Sequence, residues 1–429
     1  MRVLFTSIEG NHFHQMVPLA WALRTAGHEV QAAGNLAMVD TITQTGLTAV
    51  PIDSPSLWEQ LGPFHQEAIA WFNSVDTSAE QQAKATWTDL LSYESMVVPA
   101  LLAPLNADAM LDQLVSYARA WRPDLVIWES FSLAGAIAAV ATGAAHARLC
   151  SGPDLAMQVG TRRDFVRGTA EQPPERREDP TAEWLDWTLE RLGAPAGFSE
   201  DMLTGQWVID TRPPSAQRDT GLPTLSVRYV PYNGRCVVPD WVLRPAERPR
   251  VCLTLGTSIT EAGSENFELA KTLSTILLAL SELDVEIVAA LDPAQHEHLP
   301  PMPENVRVTG FVPLNELLPL CSVVVHHGGY QTKSTADLHG IPQVMLVGYE
   351  WVSEGMGDEY AEQGTTLTIP VSELTAERLR DTVRQVLADS SFTAHAGRLR
   401  KEILTMPTPN QLVPQIERLV AEHRTGGRA

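Results

Sequence analysis

Val323-Val324-Val325-His326-His327-Gly328-Gly329-Tyr330-Gln331-Thr332 is a short β-branched run that ends in two histidines and two glycines. A helical pattern through Thr335 and Leu338 follows and is stopped by Gly340. Together they predict a buried strand, a tight turn and a helix N-terminus. The glycines let a ligand approach the backbone closely, and the N–H groups that open a helix favour an anion. A histidine at such a turn can hydrogen-bond a phosphate oxygen. The same spacing also suits an ordinary strand-to-helix turn whose glycines answer geometry alone.

Working outward, the surrounding sequence repeats the strand–helix alternation. Upstream, Val251-Cys252-Leu253-Thr254-Leu255 reads as a strand closed by Gly256-Thr257-Ser258, followed by a helix over 265–282, strands over 285–291 and 306–311, and a short helix over 315–320. Downstream come a buried strand, Gln343–Val347, helices near 354–363 and 375–389, and a last helix carried by Leu412, Ile416, Leu419 and Val420. The N-terminal half starts the same way. Residues 2–8 form a strand, Glu9–His14 a polar loop, and a helix begins near Pro18 and ends at Gly27, before a strand over 29–33. Leu125–Trp128 is a further strand, with Glu129-Ser130-Phe131 at its carboxyl end. A helix over 133–142, a strand over 147–150 and a helix from Trp184 to Leu192 continue the series. Helical patches are expected at 65–73, 79–98 and 106–120. The polar, proline-containing segment 161–182 reads as a mobile loop. Prolines cluster where the two series meet. The domain boundaries follow: an N-terminal domain over 1–225, a linker over 226–249, a C-terminal domain over 250–405, and a final helix and tail over 406–429. Two successive α/β domains with a cleft between them are expected.

Composition narrows the function. The chain has 429 residues, too many for one core, and a formal charge of −21. That charge argues against non-specific binding to nucleic acid or to an anionic membrane surface. Cys150, Cys236, Cys252 and Cys321 lie far apart and suggest neither a disulfide framework nor a zinc site. The first residues start a strand without a secretory pattern, and no apolar run is long enough for a membrane span, so the cytoplasm is the default compartment.

The chemistry is read from strand ends, where open α/β sheets place ligands. His12 lies after the first strand and is suited to removing a proton near neutral pH. It is also the kind of residue found on solvated loops with no role. The turns at Gly256-Thr257-Ser258 and His327-Gly328-Gly329 would hold a diphosphate, and Phe311, ending another strand, would stack on a nucleobase. The aromatic residues of 55–120, Trp71 among them, suit either helix core or an apolar acceptor site. No Walker sequence is present and no Gly-x-Gly-x-x-Gly follows the first strand, which disfavours P-loop enzymes and dinucleotide dehydrogenases. The combination fits group transfer from a nucleotide-linked donor to a hydroxyl.

At these residues the chain resembles the nucleotide-sugar glycosyltransferases that decorate polyketide antibiotics. The resemblance runs over nearly the whole chain: His12 to Val30, Trp121 to Glu129, Tyr229 to Gly234, and the histidine–glycine turn. In detail it is similar to the macrolide and anthracycline deoxysugar transferases, the desosaminyltransferases in particular. The resemblance implies GT-B architecture, two Rossmann-like α/β domains facing each other across a cleft. It implies a thymidine-diphosphate (TDP) sugar as co-substrate, inversion at the anomeric carbon, no metal or other cofactor, and a cytochrome-P450-like activator protein as partner. Homodimer formation is a further partner expectation that no motif argues.

Carried over residue by residue, His12 matches the catalytic base. Thr257 and Ser258 match a diphosphate-contacting turn, and Phe311 with the backbone of Val312 matches the base-stacking position before Pro313. His327 matches the histidine on the diphosphate, and Gly328, Gly329 and Thr332 match the glycine-rich turn. Two departures stand out. Bacterial relatives carry a small residue and then glycine where this chain has Tyr330-Gln331, so Gln331 is assigned a side-chain hydrogen bond to the donor. Relatives place an acidic residue after an aromatic one to bind sugar hydroxyls; here Trp351 is followed by Val352-Ser353-Glu354. Trp351, Ser353 and Glu354 are the sugar-binding candidates in a shifted register, and a deoxygenated sugar would tolerate Val352. Trp71, Glu129 and Phe131 are the acceptor-binding candidates. The leading expectation is transfer of a deoxysugar to a hydroxyl of a polyketide-type aglycone. A catalytically inactive homologue that serves a partner enzyme, a C-glycosyltransferase and a sugar-nucleotide epimerase stay open as alternatives.

Overall fold

The computed structural model describes residues 1–55, 84–150, 154–217, 219–256, 267–292, 299–348 and 354–426, together with Glu59 and Gly152. The chain forms two compact units. One comprises the described residues up to Gly234 together with those from Met406 onward, and the other spans Arg235–Thr405.

The first unit is built on a parallel sheet in the order β3-β2-β1-β4-β5-β6-β7. Its strands are β1 (Arg2–Thr6), β2 (Glu29–Asn35), β3 (Thr48–Ile52), β4 (Leu125–Glu129), β5 (Ala145–Cys150), β6 (Trp207–Asp210) and β7 (Thr224–Ser226). The central strands are buried along their whole length, which is why they read as continuous apolar runs rather than alternating ones. One face packs under α1 (Gly10–Thr25) and the C-terminal helix Pro409–Gly426, whose Leu412, Val413, Ile416 and Val420 join Phe13, Met16, Val17 and Leu23 in one core. The second unit carries a parallel sheet in the order β10-β9-β8-β11-β12-β13. Here the strands are β8 (Arg250–Thr254), β9 (Glu286–Ala290), β10 (Val306–Thr309), β11 (Val323–His326), β12 (Gln343–Val347) and β13 (Thr366–Pro370).

Several expectations are corrected. Helix α1 begins at Gly10, so His12 and His14 sit in its opening turns rather than in a loop, and Pro18 lies inside the helix rather than at its start. The segment 161–182 is largely ordered. A helix runs over Asp154–Ala170 and another over Pro180–Arg191. One of its charges is directed inward: buried Arg162 makes a bidentate pair with Asp179 at 2.8 and 2.7 Å and bonds Glu200 at 2.7 Å, while Phe165 is fully buried. A charge-rich sequence thus encodes an ion-paired helix junction. The strands β3, β6, β7 and β13 and the helix Ser390–Thr405 escaped the pattern reading. Three of those strands are sheet edges, where short length, partial exposure and prolines such as Pro51 and Pro370 blur the strand signal. The patch expected at 65–73 lies outside the described residues. Of the next two, helices cover Trp87–Val97 and Asp108–Trp121.

Candidate functional site

In each sheet the chain order reverses beside the first strand of the unit, between β1 and β4 in one and between β8 and β11 in the other. Such switch points open a crevice at the carboxyl ends of the strands. The two groups of sequence candidates fall at these two places.

In the first unit, parallel pairing of β1 with β4 sets Thr6 against Trp128 and so brings the Ser7–Glu9 turn alongside Glu129. Glu129 is completely buried. Its Oε1 accepts from the Ile8 N–H at 3.2 Å, and its Oε2 accepts from the Phe131 N–H at 3.0 Å and lies 3.0 Å from His12 Nδ1. The two backbone donors mark it as an acceptor, so Nδ1 carries the imidazole proton and donates it to Glu129. Nε2 is then the basic nitrogen. The imidazole is 26% exposed, and the half-buried Phe131 ring stacks on it with centroids 5.7 Å apart and planes at 21°. The acceptor-binding expectation for Glu129 is thereby corrected: burial and three protein partners commit its carboxylate to holding the turn and the histidine. Sequence spacing could not give this pair, because 117 positions separate its members. His14 points elsewhere, against Tyr232, and burial lowers its pKa.

In the second unit, β11 ends at His326 and the helix Tyr330–His339 follows without a side-chain cap on its first turn. His326 and His327 do different work. His326 is fully buried; its Nδ1 accepts from the Gly328 N–H at 3.1 Å and its Nε2 donates to Gln343 Oε1 at 2.9 Å. Gln343 Nε2 donates to Asp337 Oδ1 at 2.6 Å, and Lys333 Nζ donates to Asp337 Oδ2 at 2.6 Å. A buried polar chain therefore runs from the helix to the turn and occupies the Gly328 amide, which was expected to face a ligand. The Lys333/Asp337 spacing of four was the visible signal for part of it.

His327 is the second histidine. Among the described residues its buried Nδ1 has no hydrogen-bond partner, and burial lowers its pKa to about 4, so the ring is neutral at pH 7. Two glycines make room for it. A Cβ on Gly256, at the end of β8 with φ +73°, would fall 2.4 Å from His327 Cε1, and one on Gly329 would fall 2.8 Å from the same atom. The close approach that motivated the glycine reading is thus an approach of histidine to backbone within the protein. Thr332 is buried in the first helical turn, Gln331 is partly exposed, and the Gln331 carbonyl accepts from Thr335 Oγ1 at 2.7 Å. Phe311, just beyond β10, is 64% exposed while Val312 packs into the core beneath it, an arrangement that presents an aromatic face. Thr257, Ser258, Trp351, Ser353 and Trp71 lie outside the described residues, as does the side chain of Glu354. Among the described residues, no three His, Cys, Asp or Glu side chains converge as a metal site.

The fold and sequence have close counterparts. The structure of the glycosyltransferase VinC in complex with DTDP superimposes with a TM-score of 0.86 at 36% identity, covering 98% of this chain and 100% of that one. A 10-deoxymethynolide desosaminyltransferase from Streptomyces venezuelae is 46% identical over 427 residues, 99% of this chain and 98% of the relative. A tylactone mycaminosyltransferase from Streptomyces fradiae is 45% identical over 430 residues, 99% and 94%. Two Rossmann-like parallel-sheet units with these counterparts define a glycosyltransferase of the GT-B class. Residues 21–256 match the model of the erythromycin biosynthesis protein CIII-like N-terminal domain and residues 274–419 that of the C-terminal domain. The chain belongs to the EryCIII-like glycosyltransferase family.

Proposed function

We propose that this protein transfers a deoxysugar from a TDP-sugar to a hydroxyl of a polyketide-type aglycone with inversion, and that His12 is the general base. The observation that carries the reading is the His12–Glu129 pair at the first switch point. Glu129 fixes the tautomer and ring orientation, so Nε2 can accept the acceptor's proton. The acceptor oxygen then forms its bond to the anomeric carbon as the bond to the diphosphate breaks, and the electron pair leaves with TDP. The second unit is assigned the donor. His327 and the N–H groups opening Tyr330–His339 stabilise the charge on the departing diphosphate, and Phe311 stacks on the thymine. The substrates follow those in the relatives' names, and the Val352 position favours a sugar with fewer hydroxyls.

The test is His12→Ala with an aglycone panel and TDP-deoxysugars. Transfer falls at least a thousandfold while TDP affinity holds; unchanged turnover would remove His12 from the mechanism. Donor binding without transfer to any aglycone by the wild-type chain would favour the inactive-homologue reading instead.

A cytochrome-P450-like activator, a homodimer and a cytoplasmic site of action belong to the same proposal. Among the described residues no single helix is long and apolar enough to cross a membrane. The helix Pro180–Arg191 presents Trp187, 75% exposed, and is assigned to the activator contact. Full turnover by the purified chain alone would discard the activator.

A further inference from the structure

Glu129 occupies one nitrogen of His12, and a second carboxylate stands at the other. Glu9 Oε2 lies 3.8 Å from His12 Nε2, with the Glu9 side chain only 14% exposed. Glu9 is the residue preceding α1, a position where Asp, Asn, Ser or Thr ordinarily caps the helix by accepting its free N–H groups and where a negative charge suits the helix dipole. This one makes no capping bond. Its Oε1 instead accepts from Asn11 Nδ2 at 2.8 Å, and its backbone is pinned by Ser7, whose Oγ donates to the Glu9 carbonyl at 2.9 Å. The carboxylate is thus held toward the imidazole rather than spent on the helix end.

The distance matters. At hydrogen-bond range Glu9 would require a proton on Nε2 and would take the place of the acceptor hydroxyl. At 3.8 Å it makes no hydrogen bond to Nε2 and acts through charge. Beside the neutral base, whose Nε2 presents a lone pair, the carboxylate gains little. When the acceptor's proton arrives, the positive charge forms between Glu129 and Glu9, so the interaction strengthens along the reaction coordinate. The described residues bring these two carboxylates against the imidazole, Glu129 from the end of β4 and Glu9 from the turn before α1.

We propose that Glu9 is the second carboxylate partner of His12, placed on its reacting nitrogen, and that it stabilises the imidazolium formed as the acceptor is deprotonated. Glu9 is a positioning residue, acting through His12. The proposal rests on His12 being the base.

The experiment is the pH dependence of kcat/KM for Glu9→Gln, with the full-length chain, its activator if required, TDP-sugar and aglycone. Glutamine keeps the length of the side chain and removes the charge. Loss of a neighbouring negative charge makes the imidazole a weaker base. The acid limb of the profile then moves to lower pH by about one unit, and kcat on the plateau falls severalfold. TDP affinity, read by calorimetry, stays at the wild-type value. Asn11→Ala, which frees the Glu9 carboxylate without removing it, should shift the limb the same way by a smaller amount and serves if Glu9→Gln misfolds. An acid limb and a plateau unchanged in Glu9→Gln, or in Asn11→Ala where that variant stands in, would overturn the proposal. His12→Ala separates the two failures: an inactive His12→Ala beside an unshifted Glu9→Gln defeats Glu9 alone, whereas an active His12→Ala defeats the base assignment on which it stands.

Discussion

Lys333→Met would leave the Asp337 carboxylate buried beside an apolar chain. Both side chains are about 95% buried, at 4% and 5% exposure, and the pair closes at 2.6 Å. Removing one partner of a buried ion pair costs about 3–5 kcal/mol, most of it the penalty of the charge left behind. The ammonium also sits 4.5 Å from the Tyr360 ring centre, a contact worth about 1 kcal/mol that methionine partly replaces through its own ring contact. The expected loss for the single variant is therefore about 4 kcal/mol. Asp337→Asn should cost less, because the amide oxygen still accepts from Gln343. The double variant leaves no charge at this buried pair and should recover roughly 2 kcal/mol of the summed losses. Urea denaturation of the whole chain, followed by fluorescence and by far-UV circular dichroism, measures the cycle. The consequence reaches the donor turn, because Asp337 is linked through Gln343 and His326 to the Gly328 amide. TDP affinity should drop about tenfold in Lys333→Met and return in part in the double variant. A single variant within 1 kcal/mol of wild type, together with additive losses in the double, would refute the reasoning.

Three other outcomes are expected. Burial depresses the pKa of His327 to about 4 and that of His326 to about 3, below the ordinary 6.5. Their contribution is complete above pH 6.5 and is lost as pH falls toward the folded-state values, at roughly 1.4 kcal/mol per pH unit for each. Urea midpoints at pH 7.5, 6.5 and 5.5 check this, and equal midpoints at the last two would contradict it. Gly256→Ala combines a left-handed backbone with a Cβ 2.4 Å from His327 Cε1, so it should cost about 1–3 kcal/mol and weaken TDP binding at least tenfold by calorimetry. Competition between a TDP-deoxyhexose and the corresponding fully hydroxylated TDP-hexose should favour the deoxysugar in kcat/KM, and equal turnover would sink the Val352 argument.

Legibility varied with the kind of force involved. Apolar runs closed by glycine gave the central strands and most helices, because burial on both sides of a parallel sheet demands such runs. The edge strands β3, β7 and β13 were lost, since they answer to partial exposure and tolerate proline, while the edge strand β10 was read and the short buried β6 was missed. The Arg162 junction was misread as a loop because charge predicts solvent only when no partner is near. Arg162 meets Glu200, 38 positions away, and Glu94, 68 positions away.

The site divides in the same way. Local sequence named His12, Phe311 and the histidine–glycine turn as candidates, because each follows closely on a strand and strands are local features. Strand order was not local. It set β4 beside β1 and so gave Glu129 to His12, and it set β8 beside β11 and so wedged His327 against Gly256. The sequence by itself determined two α/β halves and which residues stand at their strand ends. The tertiary structure decided the partner of each histidine, because hydrogen bonds and close packing depend on distances that only the pairing of remote strands creates.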